Sequence, residues 1–212
     1  MSDVQTTLAH QFEDPDQQHE AASLGMWAFL ITEIMFFGGL FAAYTVYRIQ
    51  YPAAFVTASH LLDYKLGAVN TAVLICSSLT MALAVRAAQL GQRRNLIVFL
   101  ILTMTLGTTF LGIKAAEYTH KFHERLIPGP NFTPNVSPNR EAQLFFLLYY
   151  SMTGLHALHM VIGIGVLTWL LVRAVRGHFS HEYYSPVEMS GLYWHFVDIV
   201  WIYLFPLLYL VR

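Results

Sequence analysis

A few ionisable side chains lie inside long apolar stretches of this sequence, where they could carry chemistry. Glu33 lies in the first stretch, His156 and His159 in the fourth, and His195 and Asp198 in the fifth. Histidines and carboxylates are common proton carriers and metal ligands in proteins. An ionisable group in hydrocarbon is costly unless it is paired or protonated. These residues are therefore the first candidates for a functional site.

The spacing within the fourth and fifth stretches puts each pair on one helical face. His156 and His159 are separated by three positions, and so are His195 and Asp198. At 1.5 Å per residue, Glu33, His195 and Asp198 are expected at a similar depth, and His156 reaches the same layer from the opposite side. A hydrogen bond between His195 and Asp198 would satisfy both groups away from water.

Three interpretations of this polar layer are open. It could be a buried network that only holds the helices together. Glu33 could instead be a functional carboxylate that takes up or relays protons. The third interpretation is a redox or metal site, in which a haem or transition metal is bound by His156, His159 and His195. Three glycines near these histidines would make room for a macrocycle, and they would suit close helix packing equally well: Gly154, Gly163 and Gly165.

Glu117 is a further candidate, at the end of the third apolar stretch. It follows Lys114 by three positions, a spacing at which oppositely charged side chains meet on a helix. We interpret this pair as a structural cap near the membrane boundary rather than as a catalytic group.

Membrane-spanning helices must position all of these residues. Of 212 residues, 56% are hydrophobic and only 12% are charged, whereas soluble domains carry about a quarter charged residues. The apolar residues fall into five blocks close to the roughly 20 residues that a helix needs to cross a hydrocarbon core of about 30 Å. The blocks run over 24–47, 66–90, 96–118, 144–172 and 187–211. The fold class predicted is all-α, an integral membrane bundle of five transmembrane helices.

The charged residues suggest the domain organisation and the orientation. A polar, acidic N-terminal segment, residues 1–22, precedes a single transmembrane domain over 23–212. Short, basic connections follow the second and fourth spans, which predicts a cytoplasmic N-terminus and an external C-terminus. The net charge of −1 gives no sign of the excess positive charge that is typical of nucleic-acid-binding proteins. The single cysteine, Cys76, excludes an internal disulfide.

Four motifs follow one another in order along the chain: TEIMFF (32–37), AEY (116–118), TGLHALHMVIG (153–163) and GLYWHFVDIVW (191–201). Together they resemble subunit III of the haem-copper respiratory oxidases, in particular cytochrome c oxidase, in the five-helix form of bacterial enzymes. The resemblance covers most of the chain from about Gly25 to Tyr209. It is highly specific because four separate motifs agree in order and spacing.

The resemblance implies a non-redox accessory subunit of a proton-pumping aerobic terminal oxidase that reduces oxygen to water. Such a subunit has no catalytic centre, because haem and copper lie in subunits I and II. It contacts subunit I directly, associates with subunit II and further respiratory chains, binds phospholipid between its helices and supports proton uptake. It resides in the bacterial cytoplasmic membrane.

The resemblance also assigns expectations to the candidate residues. Glu33 matches the family's carbodiimide-reactive buried carboxylate, a candidate for proton uptake. No metal or catalytic role is implied for the other candidates, which are expected in a buried polar network or near bound lipid: His156, His159, His195, Asp198 and Glu117.

Longer family members have seven helices, and the first two are absent here, so partner helices could complete the lipid cleft. The run from Tyr193 to Asp198, followed by Trp201, favours the cytochrome c branch. Subunit III of a quinol oxidase and a protein associated with nitric-oxide reductase are alternatives. A free-standing di-histidine membrane cytochrome is a third.

Overall fold

The chain folds as a bundle of helices. The computed structural model describes residues 11–12, 14–128, 140–179 and 183–210, and these ranges contain no β-strand. The helices are α1 (Pro15–Gln50), α2 (Pro52–Ser59), α3 (Tyr64–Gln89), α4 (Arg93–His123), α5 (Arg140–Val175) and α6 (Ser185–Tyr209). All except α2 are long and apolar enough to cross a membrane. The predicted all-α bundle of five transmembrane helices is confirmed.

Helix α1 begins well before Leu24, where the first apolar block starts. The Asp14 side chain accepts a 2.6 Å hydrogen bond from the backbone N–H of Gln17, and Pro15 occupies the first turn. Both features favour a helix start. The predicted boundary between residues 22 and 23 therefore falls inside one continuous helix. The remaining ends lie within five residues of the predicted spans.

The short helix α2 occupies the connection between the first two spans, where the sequence predicts no helix. Its Phe55 is fully buried. The Phe55 ring centroid lies 5.3 Å from that of Tyr44 in α1 and 5.4 Å from that of Phe145 in α5. An element of this length is too short for hydrophobic periodicity to reveal. It packs across one end of the bundle against α1 and α5.

Helix α6 is central and α1 is peripheral. Helix α6 packs against α1, α3 and α5. In its most apolar segment of 18 residues, 56% of the residues are buried. The corresponding fraction for α1, which makes its main contacts with α6, is 11%. The most extensive interface joins α3 and α4. Gly91 makes the tight turn between them at φ 66°, and the N–H of Gln92 closes α3 by donating to the Ala87 carbonyl at 2.8 Å.

Trp194 of α6 fills the space between α4 and α5. A Cβ added at Gly107 would stand 2.8 Å from the indole ring, and one added at Gly163 would stand 3.0 Å from it. The indole N–H donates to the Ser77 hydroxyl of α3 at 2.9 Å. The space beside Gly163 is thus filled by a side chain of this protein and does not admit a macrocycle. Gly165 faces open space.

Candidate functional site

Glu33 of α1 and His159 of α5 form a pair at the edge of the bundle. The His159 Nε2 atom lies 3.1 Å from Glu33 Oε2, and Nδ1 lies 2.8 Å from the backbone carbonyl oxygen of Leu155. The Tyr193 hydroxyl donates to the His159 carbonyl oxygen at 3.0 Å, which ties α6 to the same turn. The Glu33 and His159 side chains are 20% and 13% exposed. The pair is therefore enclosed but not sealed.

The partners of His159 determine how many protons this pair holds. A carbonyl oxygen only accepts hydrogen bonds, so the proton of that contact is on His159 Nδ1. If the imidazole is neutral, Nε2 is an acceptor and Glu33 donates as a carboxylic acid. If Glu33 is ionised, Nε2 donates and His159 is an imidazolium. In both cases the pair holds one proton more than a neutral histidine beside a carboxylate, and this proton can be shared.

An apolar cleft lies beside this pair, between α1 and α6. It encloses about 490 Å³, and its lining includes Trp27, Phe37 and Ile199. Phe37 also packs against His159, with 5.3 Å between the ring centroids. One aromatic ring therefore contacts both the cleft and the Glu33–His159 pair.

A second polar site, the Glu117 cluster, is buried where α4, α5 and α6 meet. Glu117 accepts hydrogen bonds from Lys114 Nζ at 2.8 Å, the Tyr209 hydroxyl at 2.8 Å and the Tyr149 hydroxyl at 3.0 Å. Lys114 also donates to the Tyr209 hydroxyl at 2.6 Å and lies 4.5 Å from the Trp201 ring centroid. The predicted Lys114–Glu117 contact is present. It belongs to a buried network and is not an isolated cap, since these two side chains are 5% and 4% exposed.

Lys121 adds a second cation to the Glu117 cluster. Its Nζ lies 3.7 Å from Glu117 Oε1 and donates to the Leu61 carbonyl oxygen at 3.4 Å. The Lys121 side chain is only 4% exposed. The cluster therefore links α4, α5 and α6 to the connection before α3, and it places two ammonium groups around one carboxylate.

His195 and Asp198 do not pair with each other, so the predicted hydrogen bond between them is wrong. His195 Nδ1 lies 2.7 Å from the Ser78 hydroxyl of α3. Asp198 is 2% exposed, and in the described ranges neither of its carboxyl oxygens makes a hydrogen bond of normal geometry. Both residues extend from α6 toward α3, and the Ser78 hydroxyl lies beside both side chains.

His156 lies inside the bundle among aromatic rings. Its ring centroid is 5.4 Å from that of Phe110 and 5.2 Å from that of Trp201. Neither ring nitrogen has a hydrogen-bond partner within the part of the chain that the structure describes. The three histidines thus face different parts of the bundle. His156 lies between aromatic rings, His159 faces α1 and His195 faces α3. Across the described ranges, no three His, Cys, Asp or Glu side chains are arranged to hold a metal ion. The interpretation of these three histidines as ligands of one metal is not supported.

Comparison with known proteins places this arrangement in a family. The sequence profile described as "Cytochrome c oxidase subunit III" matches residues 3–211. This chain belongs to the cytochrome c oxidase subunit III family. Its candidate residues Glu33, His159 and Glu117 therefore stand on the scaffold of an oxidase subunit. The resemblance drawn from the sequence motifs is confirmed.

Individual relatives come from both branches of the oxidases. The chain is 32% identical over 207 residues to "Probable cytochrome c oxidase subunit 3" of Nocardia farcinica, covering 98% of this chain and 94% of that protein. It is 30% identical over 188 residues to "Quinol oxidase subunit 3" of Bacillus subtilis, covering 89% and 86%. It is 33% identical over 193 residues to "Heme-copper oxidase subunit I+III" of Aeropyrum pernix, covering 88% of this chain and 22% of that protein.

Sequence reasoning missed several members of the polar sites in this subunit III chain. Lys121 stands four residues after Glu117, a helical spacing that could have signalled its part in the cluster. Tyr149 and Tyr209 lie in apolar stretches where tyrosines are equally expected as membrane anchors. Ser78 belongs to a run of small residues without any distinguishing pattern. Only the packing of the helices reveals these three as partners.

Proposed function

We propose that this chain is the accessory third subunit of a haem-copper terminal oxidase in the bacterial cytoplasmic membrane. It packs directly against subunit I, near subunit II, and stabilises the catalytic subunit. Haem and copper lie in those partners, and this chain contributes no redox centre. The family match supports this proposal, and so does the relative whose name joins subunits I and III in one protein.

The Glu33–His159 pair supports a second role for this chain, in proton uptake. Its shared proton can be exchanged without creating an isolated charge, because the imidazole and the carboxyl group compensate each other. The pair is partly exposed at the edge of the bundle and not sealed inside it. We therefore assign Glu33 to proton uptake, with His159 as the group that holds its proton in place.

The cleft between α1 and α6 is suited to phospholipid acyl chains. Its volume of about 490 Å³ is bounded by aromatic and aliphatic side chains. Trp27 is 54% exposed and Tyr203 is 65% exposed on its two sides. Acyl chains in this cleft would cover apolar surface that α1 to α6 leave open. Helices of a partner chain could complete the cleft on its open side.

The orientation follows from the basic connections. Arg93 and Arg94 stand in the first turn of α4, next to the connection from α3, and Arg173 and Arg176 stand at the end of α5. Short basic connections remain on the cytoplasmic side. The N-terminus is accordingly cytoplasmic and the C-terminus external.

Labelling with a hydrophobic carbodiimide tests the role of Glu33, because the reagent modifies protonated carboxyl groups in apolar surroundings. In the purified complex we expect modification of Glu33, mapped by mass spectrometry, and loss of this adduct in Glu33→Gln. Glu33→Gln should also slow proton uptake after an oxygen pulse while the haem content stays unchanged. Glu124→Gln, which removes an exposed carboxylate at the end of α4, is the matched control and should behave like the wild type. Unchanged proton uptake in Glu33→Gln would contradict the assigned role.

The electron donor is tested separately. The motif from Tyr193 to Asp198 favours cytochrome c, whereas the similarity to the Bacillus subtilis protein favours a quinol. Oxygen consumption by the complex should proceed with reduced cytochrome c and not with a quinol. The reverse result would place this chain in the quinol oxidase branch and leave the accessory role intact.

A further inference from the structure

A pocket between α3 and α6 contains a buried carboxyl group whose hydrogen bonding the described residues leave incomplete. Asp198 lines this pocket together with Ser78 and His195, and the enclosed volume is about 250 Å³. Asp198 is 2% exposed, and neither of its oxygens lies within hydrogen-bond distance and geometry of a donor among the described residues. Ser78, the hydroxyl residue of the pocket wall, is engaged by His195 Nδ1 at 2.7 Å. The Ser78 hydroxyl carries one proton, so among the described residues at least one oxygen of Asp198 is left without a donor.

The pocket lies near the middle of the membrane. Asp198 stands about 20 Å along the axis of α6 from Ser185 and about 17 Å from Tyr209, at 1.5 Å per residue. Ser78 stands at a similar depth on α3, about 21 Å from Tyr64. Half of a hydrocarbon core is about 15 Å thick, so lipid headgroups stay far from this level. Acyl chains, which do reach it, carry no hydrogen-bond donor.

The rim of the pocket is apolar and open to the surroundings. Ile75 and Leu79 of α3 are 53% and 62% exposed, and Ile202 of α6 is 45% exposed. In protein–protein interfaces, the residues that contribute most binding energy are surrounded by contacts that exclude water. A polar centre inside an apolar rim fits this arrangement. In membranes, polar side chains of this kind join neighbouring helices by hydrogen bonds.

We propose that this pocket is a docking site for a transmembrane helix of a partner chain that places a hydrogen-bond-donating side chain on Asp198. The donor is an amine, amide, hydroxyl or indole N–H, since the Asp198 carboxyl group keeps an acceptor oxygen in either protonation state. The rim residues Ile75, Leu79 and Ile202 pack against the same helix. This inference rests on the proposed function, because it requires that the chain works inside a complex.

Photo-crosslinking in membranes that contain the complex tests the proposal. A benzophenone amino acid replaces Leu79 on the rim, and adducts are identified by mass spectrometry. We expect an adduct with a different protein chain. Its yield should fall about fivefold in Asp198→Leu, the effect of losing one hydrogen bond between membrane helices. Asp198→Asn should retain the adduct, because the amide oxygen still accepts.

A second variant keeps the test valid if Asp198→Leu does not accumulate in membranes. Ala82 lines the pocket and is exposed, so Ala82→Phe fills the pocket from its edge and should abolish the adduct. Ala72→Phe, an equally exposed alanine about 15 Å away on the same helix, is the matched control and should preserve it.

Three results would overturn the docking site: adducts with lipid alone, adducts with a second copy of this chain, or an adduct yield that neither Asp198→Leu nor Ala82→Phe lowers. Co-elution of a haem-containing chain is measured in the same preparations. If that chain co-elutes with the wild type while Leu79 gives no adduct with a different chain, the docking site fails and the proposed function stands. If no haem-containing chain co-elutes, the proposed function itself fails.

Discussion

The Glu117 cluster and the Glu33–His159 pair differ in how deeply their side chains are buried. The Glu117 cluster lies at the junction of α4, α5 and α6, where the side chains of Glu117 and Lys114 are 4% and 5% exposed. Glu33 and His159 lie at the edge of the bundle and are 20% and 13% exposed. Three donors surround the Glu117 carboxylate, whereas one imidazole faces Glu33.

This difference separates a site that holds helices together from one that can exchange a proton. In the interior, removal of the Glu117 carboxylate would leave two ammonium groups buried without compensation, so this carboxylate is fixed in its charged network. At the edge, a single proton can move between two groups that remain hydrogen-bonded in either state. Buried charges in membrane helices therefore need not have the same role, and stability measurements can separate them.

The largest effect is expected from Glu117→Leu. This change leaves Lys114 and Lys121 without a carboxylate and removes the acceptor of two tyrosine hydroxyls. Loss of one partner of a buried ion pair costs about 3–5 kcal/mol, and we expect this loss in the free energy of unfolding measured by detergent titration. Glu124→Leu, at the exposed end of α4, should cost less than about 0.5 kcal/mol. A cost below about 1 kcal/mol for Glu117→Leu would contradict the interior role.

A smaller loss in the free energy of unfolding is expected from Gly107→Ala, which tests whether the packing around Trp194 is rigid. The new Cβ would stand 2.8 Å from the Trp194 ring, which Gly163 confines on its other side. Overpacking of this kind costs about 1–3 kcal/mol, partly offset by the better helix propensity of alanine. Gly112→Ala on the same helix, where nothing lies within 4 Å, should be neutral or stabilising. Equal results for the two variants would show that Trp194 can move aside.

Lys121→Met should change stability less than Gly107→Ala. Lys121 makes only long contacts, at 3.7 Å to Glu117 and 3.4 Å to the Leu61 carbonyl oxygen, and Glu117 keeps Lys114 at 2.8 Å. The methionine replaces the apolar stem and removes a buried charge. Because Lys114 still compensates Glu117 after this change, no buried charge is left alone, and we expect a change of about 1 kcal/mol or less in the free energy of unfolding. A loss as large as that of Glu117→Leu would show that the second cation is indispensable.

The membrane-spanning helices, and some contacts within the polar sites, could be predicted from the sequence. Apolar blocks of about 20 residues predict five spans, because the thickness of the membrane dictates their length. The Lys114–Glu117 contact also followed from spacing within one helix. The partners of His159 and His195 did not, since they depend on which helices become neighbours and how each rotates. The His195–Asp198 bond failed for this reason: a Ser78 hydroxyl on another helix was the available partner, and only the packed structure places it there.

The smallest stability effect is expected from Glu33→Gln, and this variant sharpens the comparison most. His159 Nδ1 is held by the Leu155 carbonyl, so Nε2 of the neutral ring accepts a hydrogen bond, and a glutamine amide can donate it. The pair keeps its contact and loses only its exchangeable proton. We expect less than about 0.5 kcal/mol of change in unfolding free energy, as for other partly exposed substitutions that preserve a hydrogen bond. Glu117→Gln, the same chemical change in the interior, should cost several times more, because two buried ammonium groups lose their counter-charge. Equal costs for the two glutamine variants would remove the distinction between a structural site and an exchangeable one.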